Sequence, residues 1–355
     1  MKKIIVFRLS AMGDVLLTVP VIKGILESNS DLEITLVTRQ FFGPFFYGIP
    51  RVNLIYPDLN GKHKGFLGLI KLFFELKKQG PFQKVIDLHG VIRTQLISFL
   101  FTLTGAKSFA IDKGRKEKKF LLKSKYIRIL KHSTVRYFET FEKAGIKGSL
   151  GKAPYLAVED QARRNADLFL ENNQIHPLKL KIGLAPFATY QTKMWGIENF
   201  KNLISLINSQ FEVEFLLFGG GEQEIKQLNE LKTCASNVHL AAGVLKLSEE
   251  IALVQRLDLM ISMDSSNMHL ATLCAIPTIS IWGGTHPAFG FFALGQTLDH
   301  HIQTPASSLK CRPCSAFGNK PCIYDTPKCM EMVTPSDVLK RLIQLGVLKN
   351  KRLAD

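Results

Sequence analysis

The sequence predicts an α/β protein made of two successive doubly wound halves, each with a parallel sheet. Three observations carry this. Short apolar runs alternate with helical stretches along most of the chain, the pattern of a parallel sheet covered on both faces. The alternation restarts after Ile175-His176-Pro177. The length, 355 residues, suits two domains of ordinary size.

The elements follow in order. Lys3–Leu9 reads as a strand, the turn Ser10-Ala11-Met12-Gly13-Asp14 follows, and an apolar helix runs to Ile25, opening a βα unit. Strands are expected at Leu32–Thr38, Val52–Tyr56 and Lys84–Leu88, with helices at Leu67–Lys78 and Thr94–Thr104. Pro154–Glu159 leads into a connector that holds a polar-faced helix, Asp160–Asn172. The second half reads strand Lys181–Pro186, helix Ile197–Asn208, strand Glu214–Phe218 and helix Glu222–Leu231. It continues with strand Val238–Ala241, helix Ser248–Gln255, strand Leu257–Met263, helix Met268–Cys274 and strand Thr278–Trp282. A last helix, Ser336–Leu345, is entered at Pro335 and stopped at Gly346, as capping preferences favour. The expected domains are 1–158 and 178–335, joined by a connector at 159–177 and followed by a helix and tail at 336–355.

Composition narrows the function. With 46% apolar and 21% charged residues the chain is neither disordered nor fibrous. No apolar run reaches the ~18 residues of a membrane span, and Leu96–Leu103 is interrupted by Ser98 and Thr102. Lys2-Lys3 before Ile4-Ile5-Val6-Phe7 has the look of a signal peptide, but Arg8 cuts the run and no small-residue cleavage site follows. A soluble, cytoplasmic chain is expected. Lys and Arg number 46 against 30 acids, a net charge of +16. The window Lys113–Arg136 holds ten of these cations and a single acid, Glu117. Such a local excess points to nucleic acid, an anionic lipid surface or a phosphorylated substrate, or else to a solvated helix face.

Open α/β sheets bind ligands beyond the carboxyl ends of their strands, so the strand-to-helix turns are where function is sought. The first turn offers Gly13, which permits close approach, and Asp14, which reads either as a working carboxylate or as a helix cap. Neither G-x-G-x-x-G nor a Walker pattern is present. A second turn offers Thr189 and Lys193, a diphosphate clamp or an exposed loop lysine. Gly219-Gly220-Gly221-Glu222 offers an acid for ribose hydroxyls or a flexible loop. Asp264-Ser265-Ser266-Asn267-Met268-His269 opens a helix whose N–H groups and hydroxyls suit phosphate, although His269 also fits a core position.

Together these turns resemble glycosyltransferase family 9, the ADP-heptose:lipopolysaccharide heptosyltransferases. The resemblance spans nearly the whole chain. It rests on Arg8-Leu9-Ser10-Ala11-Met12-Gly13-Asp14-Val15, Asp87-Leu88-His89-Gly90 with Arg93, Thr189 with Lys193-Met194-Trp195, Gly220-Gly221-Glu222, and Asp264-Ser265 with His269-Leu270-Ala271. It implies a GT-B fold: two Rossmann-like doubly wound domains facing across a cleft, the first for acceptor and the second for nucleotide sugar. It further implies Asp14 as general base, Thr189 and Lys193 on the donor phosphates, Glu222 on the ribose, and Asp264 orienting the donor sugar. Ser265, Ser266 and His269 would line the diphosphate end. Ser10, Met12, Gly13 and Arg93, with Lys116, Lys119 and Arg136 of the basic window, are expected to meet the acceptor. Ser266 stands where the family usually has Gly and His286 where an acid is common, which leaves the donor sugar open.

The expected partners are an ADP-sugar donor, a lipopolysaccharide core or lipid A precursor, and the inner face of the cytoplasmic membrane, without nucleic acid. No cofactor is expected, and with no D-x-D turn in a suitable place, no Mg²⁺ dependence. The rival readings are a GT-B enzyme with another nucleotide sugar and a non-catalytic basic module that binds membrane or nucleic acid. The late cysteines Cys311, Cys314, Cys322 and Cys329 are spaced C-x₂-C-x₇-C-x₆-C, which fits structural zinc, reduced thiols or a local disulfide.

Overall fold

The computed structural model describes residues 1–124 and 127–348. Lys125 of the basic window and residues 349–355 of the expected tail lie outside the described residues. The chain divides into two compact units, one of Met1–Arg115 with Lys131–Ala157, the other of Lys116–Leu130 with the chain from Val158 on.

The first half of the chain forms strands β1 (Lys2–Phe7), β2 (Leu32–Val37), β3 (Val52–Ile55), β4 (Lys84–Asp87) and β5 (Lys107–Ala110). Its helices are α1 (Met12–Leu16), α2 (Thr18–Ser28), α3 (Gly65–Lys77), α4 (Ile92–Thr102), α5 (Arg115–Ser124) and α6 (Ser133–Lys143). The sheet is parallel throughout, in the order β3-β2-β1-β4-β5. Ile4-Ile5-Val6-Phe7 forms the central strand because all four side chains are buried, Ile5 lying in register with Thr35 and Val85. Helices α3 and α4 cover one face through Leu69, Leu72, Phe73, Leu76, Ile97 and Phe101, packed on Ile5, Phe7 and Val85.

The second half contains α7 (Asp160–Asn172), β6 (Leu180–Ala185), α8 (Ile197–Asn208), β7 (Val213–Leu217), α9 (Glu222–Lys232), β8 (Val238–Leu240) and α10 (Leu247–Val254). It continues with β9 (Leu259–Met263), α11 (Ser266–Leu273), β10 (Thr278–Trp282), β11 (His301–Gln303), α12 (Lys328–Glu331) and α13 (Pro335–Gln344). This sheet is also parallel, in the order β11-β10-β9-β6-β7-β8. The expected fold class is therefore observed: two α/β units, each doubly wound around a parallel sheet. Within the expected connector, α7 fastens to this unit through Arg256–Asp167 (2.8 and 3.0 Å) and Asn165–Glu249 (2.6 Å).

The differences from the sequence reading have local causes. The expected first helix breaks into α1 and α2 at Leu17. The edge strands β5 and β11 carry no apolar run, since an edge position asks for little burial. Residues 116–130, expected in the first domain, group with the second unit. Leu121 and Leu130 are buried against Ala288, Phe289 and Ala316, and the Leu130 N–H donates to the Ala288 carbonyl at 2.9 Å. Lys118 Nζ stands 5.7 and 5.3 Å above the Phe291 and Phe317 rings. Among the described residues no helix is long and apolar enough to cross a membrane.

Candidate active site

In each sheet the strand order reverses beside the first strand, between β1 and β4 and between β6 and β9. Turns leaving two such strands diverge and open a crevice at their carboxyl ends. Both crevices hold charged residues.

In the first unit, Arg8 follows β1 directly and is buried between Phe7 and Leu9, so its charge must be met inside the fold. One nitrogen donates to the Leu88 carbonyl at 2.6 Å, just past β4, and the other lies 2.5 Å from Asp14 Oδ2. The guanidinium also stands 5.7 Å over the Tyr137 ring, whose hydroxyl donates to the Asp14 carbonyl at 3.2 Å. Asp14 is not the cap of α1: Ala11 holds that position, and the Asp14 carboxylate serves Arg8.

Asp87 ties down the opposing turn, accepting from the His89 and Gly90 N–H groups at 2.9 and 2.8 Å and from the Thr94 hydroxyl at 2.9 Å. Burial raises the Asp87 pKa. His89 Nε2 lies 3.3 Å from Ser10 Oγ. Burial first, then the cations of Arg8, Lys113, Arg39 and Arg93, hold the His89 pKa down at about 4, so its ring is neutral at physiological pH. Ser10, Met12, Gly13 and Asp14 are half-buried in the turn after β1 and the start of α1, while Arg93 is exposed on α4. Arg136 is placed differently from expectation. It is buried on α6 with its guanidinium packed against Gly114, where a Cβ would lie 2.4 Å from Nη2. Lys116 and Lys119 are exposed on α5 and belong to the second unit.

In the second unit, Lys193 lies in the turn after β6 and Asp264 directly follows β9. Lys193 Nζ is 2.8 Å from Asp264 Oδ2, with both side chains largely buried. Thr285, in the turn after β10, donates its hydroxyl to the same oxygen at 2.7 Å. The turns are locked together: the Thr192 carbonyl accepts from the Gly284 N–H at 2.9 Å and its hydroxyl donates to the Gly318 carbonyl at 2.7 Å. Only glycine fits at 318, since a Cβ there would lie 2.5 Å from Lys193 Cδ and the residue sits at φ +84. Behind the site, buried Arg312 donates to the carbonyls of Gly283 (2.7 Å), Thr285 (2.9 Å) and Thr304, and to the Gln303 side chain (2.8 Å). A guanidinium has enough donors for this task, which fixes the turn carrying Thr285.

Helix α11 begins here. Its N-cap, Ser265, makes no capping bond but lies 3.1 Å from the Ser262 hydroxyl, and Ser266 and Asn267 are half-buried. His269 is buried one turn in. Thr189 is exposed in the turn after β6. Glu222 is exposed as the first residue of α9, while Glu224 holds the glycine turn by accepting from the Gly220 N–H at 2.9 Å.

Four residues that hold the two sites together are not among the candidates the sequence offers: Arg8, His89, Thr285 and Arg312. For Arg8 the signal was present, a charge at the end of an inner strand. For Thr285 and Arg312 it was not, because their partners lie far away in the chain. The late cysteines are free thiols. Among the described residues no group of three or more His, Cys, Asp or Glu side chains is arranged to hold a metal ion. Cys322 donates to the Thr326 carbonyl at 3.4 Å within its own turn. Burial and the adjoining Cys311 push the Cys314 pKa up to about 11, and burial raises Cys329 as well.

Comparison with known proteins gives a consistent result. The chain is 25% identical to lipooligosaccharide heptosyltransferase 2 of Campylobacter jejuni, over 99% of this chain and 100% of that one. It is 23% identical to the lipopolysaccharide core heptosyltransferase OpsX of Haemophilus influenzae, over 81% of this chain and 80% of the other. Among solved structures, a glycosyltransferase of family 9 from Veillonella parvula superposes with a TM-score of 0.75 at 21% identity, covering 97% of each chain. The Escherichia coli heptosyltransferase WaaC with ADP-2-deoxy-2-fluoro heptose gives 0.67 at 19% identity, covering 97% of this chain and 99% of that one. These likenesses make the fold GT-B, with each unit Rossmann-like. The family model described as glycosyltransferase family 9 (heptosyltransferase) matches residues 70–316, well over half of the chain, and the chain therefore belongs to that family.

Proposed function

We propose that the chain is an inverting heptosyltransferase that moves a heptose from ADP-heptose to the inner core of lipopolysaccharide. Its acceptor would be a lipid-linked, phosphorylated glycan at the inner face of the cytoplasmic membrane. The observation that carries this reading is the Lys193–Asp264–Thr285 cluster at the second switch point, beside the N-terminus of α11.

In the proposed reaction an acceptor hydroxyl attacks the anomeric carbon and its proton passes to Asp14, while the bond from that carbon to the diphosphate oxygen breaks. Arg8 engages Oδ2 of Asp14, which leaves Oδ1 to accept the proton and fixes its direction. Lys193 and the first N–H groups of α11 take the negative charge of the departing ADP as preorganised donors. Thr189 reaches the same phosphates, Glu222 the ribose, and Asp264, steadied by Thr285, the donor sugar. Ser265, Ser266 and His269 line the diphosphate end, and Ser10, Met12, Gly13 and Arg93 face the acceptor. The names of the relatives and the ADP-sugar analogue in the E. coli structure support this donor.

One test is a thermal-shift panel of nucleotide sugars followed by a transfer assay on a heptose-free lipopolysaccharide precursor. ADP-heptose at ~100 times its dissociation constant should stabilise the chain by about 2.7 kcal/mol and support transfer. Stabilisation and transfer by a UDP-sugar alone would overturn the donor assignment. That outcome bears on Ser266 and on His286, which accepts from the Ala288 N–H at 3.0 Å and is held at about 4 by burial and Arg312.

A further inference from the structure

Helices α3 and α4 have more apolar surface than the sheet beneath them uses. Their inner stripes, with Phe73 and Phe101 in edge contact at 5.0 Å, already fill the core. The outer faces nevertheless present Phe66, Leu67 and Phe74 from α3, with Ile92, Phe99 and Leu103 from α4 and its end. Leu67 is 79% exposed and Ile92 85%. Single exposed apolar residues need no explanation, but six large ones on two neighbouring helices form a patch of the kind that marks an interaction site.

The surrounding charge says what the patch meets. Lys64, Lys71, Lys77 and Lys78 are all exposed along α3, with Lys71 one turn from both Leu67 and Phe74. The two helices contain one exposed-side acid, Glu75, and it is already paired with Lys62 and His63. A second copy docking through the same face would bring lysines against lysines. An anionic bilayer supplies both what the phenylalanines and what the lysines require: an acyl boundary below and phosphates at headgroup level, with the long lysine stems reaching up between the buried rings. At 13 and 11 residues the helices are too short to span, so they would lie in the interface plane.

We propose that the outer face of α3 and α4 is a membrane-docking surface that seats the first unit in an anionic lipid bilayer. It rests on the reading of a lipid-linked acceptor for its purpose. Its test needs neither donor nor acceptor, so the two stand or fall separately.

The full chain is sedimented with phosphatidylethanolamine–phosphatidylglycerol vesicles and with phosphatidylcholine vesicles, beside the combined variant Leu67→Ser, Phe74→Ser, Ile92→Ser, Phe99→Ser. The parent should bind the anionic vesicles, less well as salt is raised, and bind the neutral ones at least about tenfold more weakly. The variant has the same net charge and should lose about tenfold or more on anionic vesicles. Its melting temperature should fall only slightly, because Leu67 and Ile92 are almost free of contacts and Phe74 and Phe99 are more than half exposed. Equal binding by parent and variant would overturn the proposal. So would a parent that ignores vesicles but dimerises in analytical ultracentrifugation, with the dimer abolished in the variant, since the occupant would then be a second copy. ADP affinity, measured in parallel, reports on the donor site alone.

Discussion

A guanidinium at the end of an inner strand must find its counter-charge within a few ångströms, and here Arg8 finds Asp14. The consequence is that Asp14→Asn has two effects to be read separately. Losing the proton acceptor should lower turnover by about 10²–10⁴-fold with ADP affinity within a few-fold of the parent. Leaving Arg8 without its counter-charge should also lower the melting temperature, which a mere helix cap would not do, because Asn caps as well as Asp. Near-parental turnover would end the proposed role of Asp14. The Lys193–Asp264 pair needs a similar separation. Lys193→Ala should weaken ADP binding by about 1.5–3 kcal/mol in calorimetry. It also strands a buried carboxylate, so its melting temperature should drop. Adding Asp264→Asn to Lys193→Ala should recover melting temperature and leave ADP affinity low; if affinity returned too, Lys193 would be acting only through Asp264.

Among the elements, α5 decides how the basic window is to be tested. Lys116, Lys119 and Lys123 are exposed, whereas Lys118 lies over two phenylalanine rings and anchors the helix. Changing the first three to Ser should raise the apparent Michaelis constant for a phosphorylated acceptor and flatten its salt dependence, without altering donor hydrolysis. An unchanged constant at low salt would make this a solvated face. The contrast with α3 and α4 shows what the sequence can and cannot disclose. Inner strands such as Ile4-Ile5-Val6-Phe7 were legible because burial on both faces writes a continuous apolar run. The allegiance of α5 was not, because Leu121 and Leu130 meet Ala288 and Phe289 across a long stretch of chain. For the same reason Asp14 and Lys193 stood out in their turns, while Thr285 and Arg312 had meaning only once three strand ends were brought side by side.

For the molecule as a whole, titration and chain path matter most. His89, His286 and His301 are each held near a pKa of about 4 in the fold, mainly by burial, against 6.5 for an ordinary histidine. Between those values the unfolded chain binds more protons than the native one, so stability should fall as pH drops from about 6.5 towards 4. Glu250, raised to about 7 by burial, and Asp87, also raised by burial, work in the opposite direction, but His300, lowered by burial too, joins the other three histidines and these outnumber the two carboxyls. Thermal melts across this range should show the decline, and His301→Asn should make it shallower; a flat profile would contradict the burial assigned to these rings. The path of the chain has a practical consequence for anyone dividing the protein. It passes from one unit to the other at 115/116, again at 130/131 and a third time at 157/158, so no single cut separates the two. A fragment ending at 157 keeps residues 116–130 with Leu121 and Leu130 stripped of their partners, and its complement bares Ala288, Phe289 and Ala316. Excising 116–130 and bridging 115 to 131 with a flexible glycine–serine linker should yield the more soluble first-half fragment, which makes modularity in this protein a matter of three junctions.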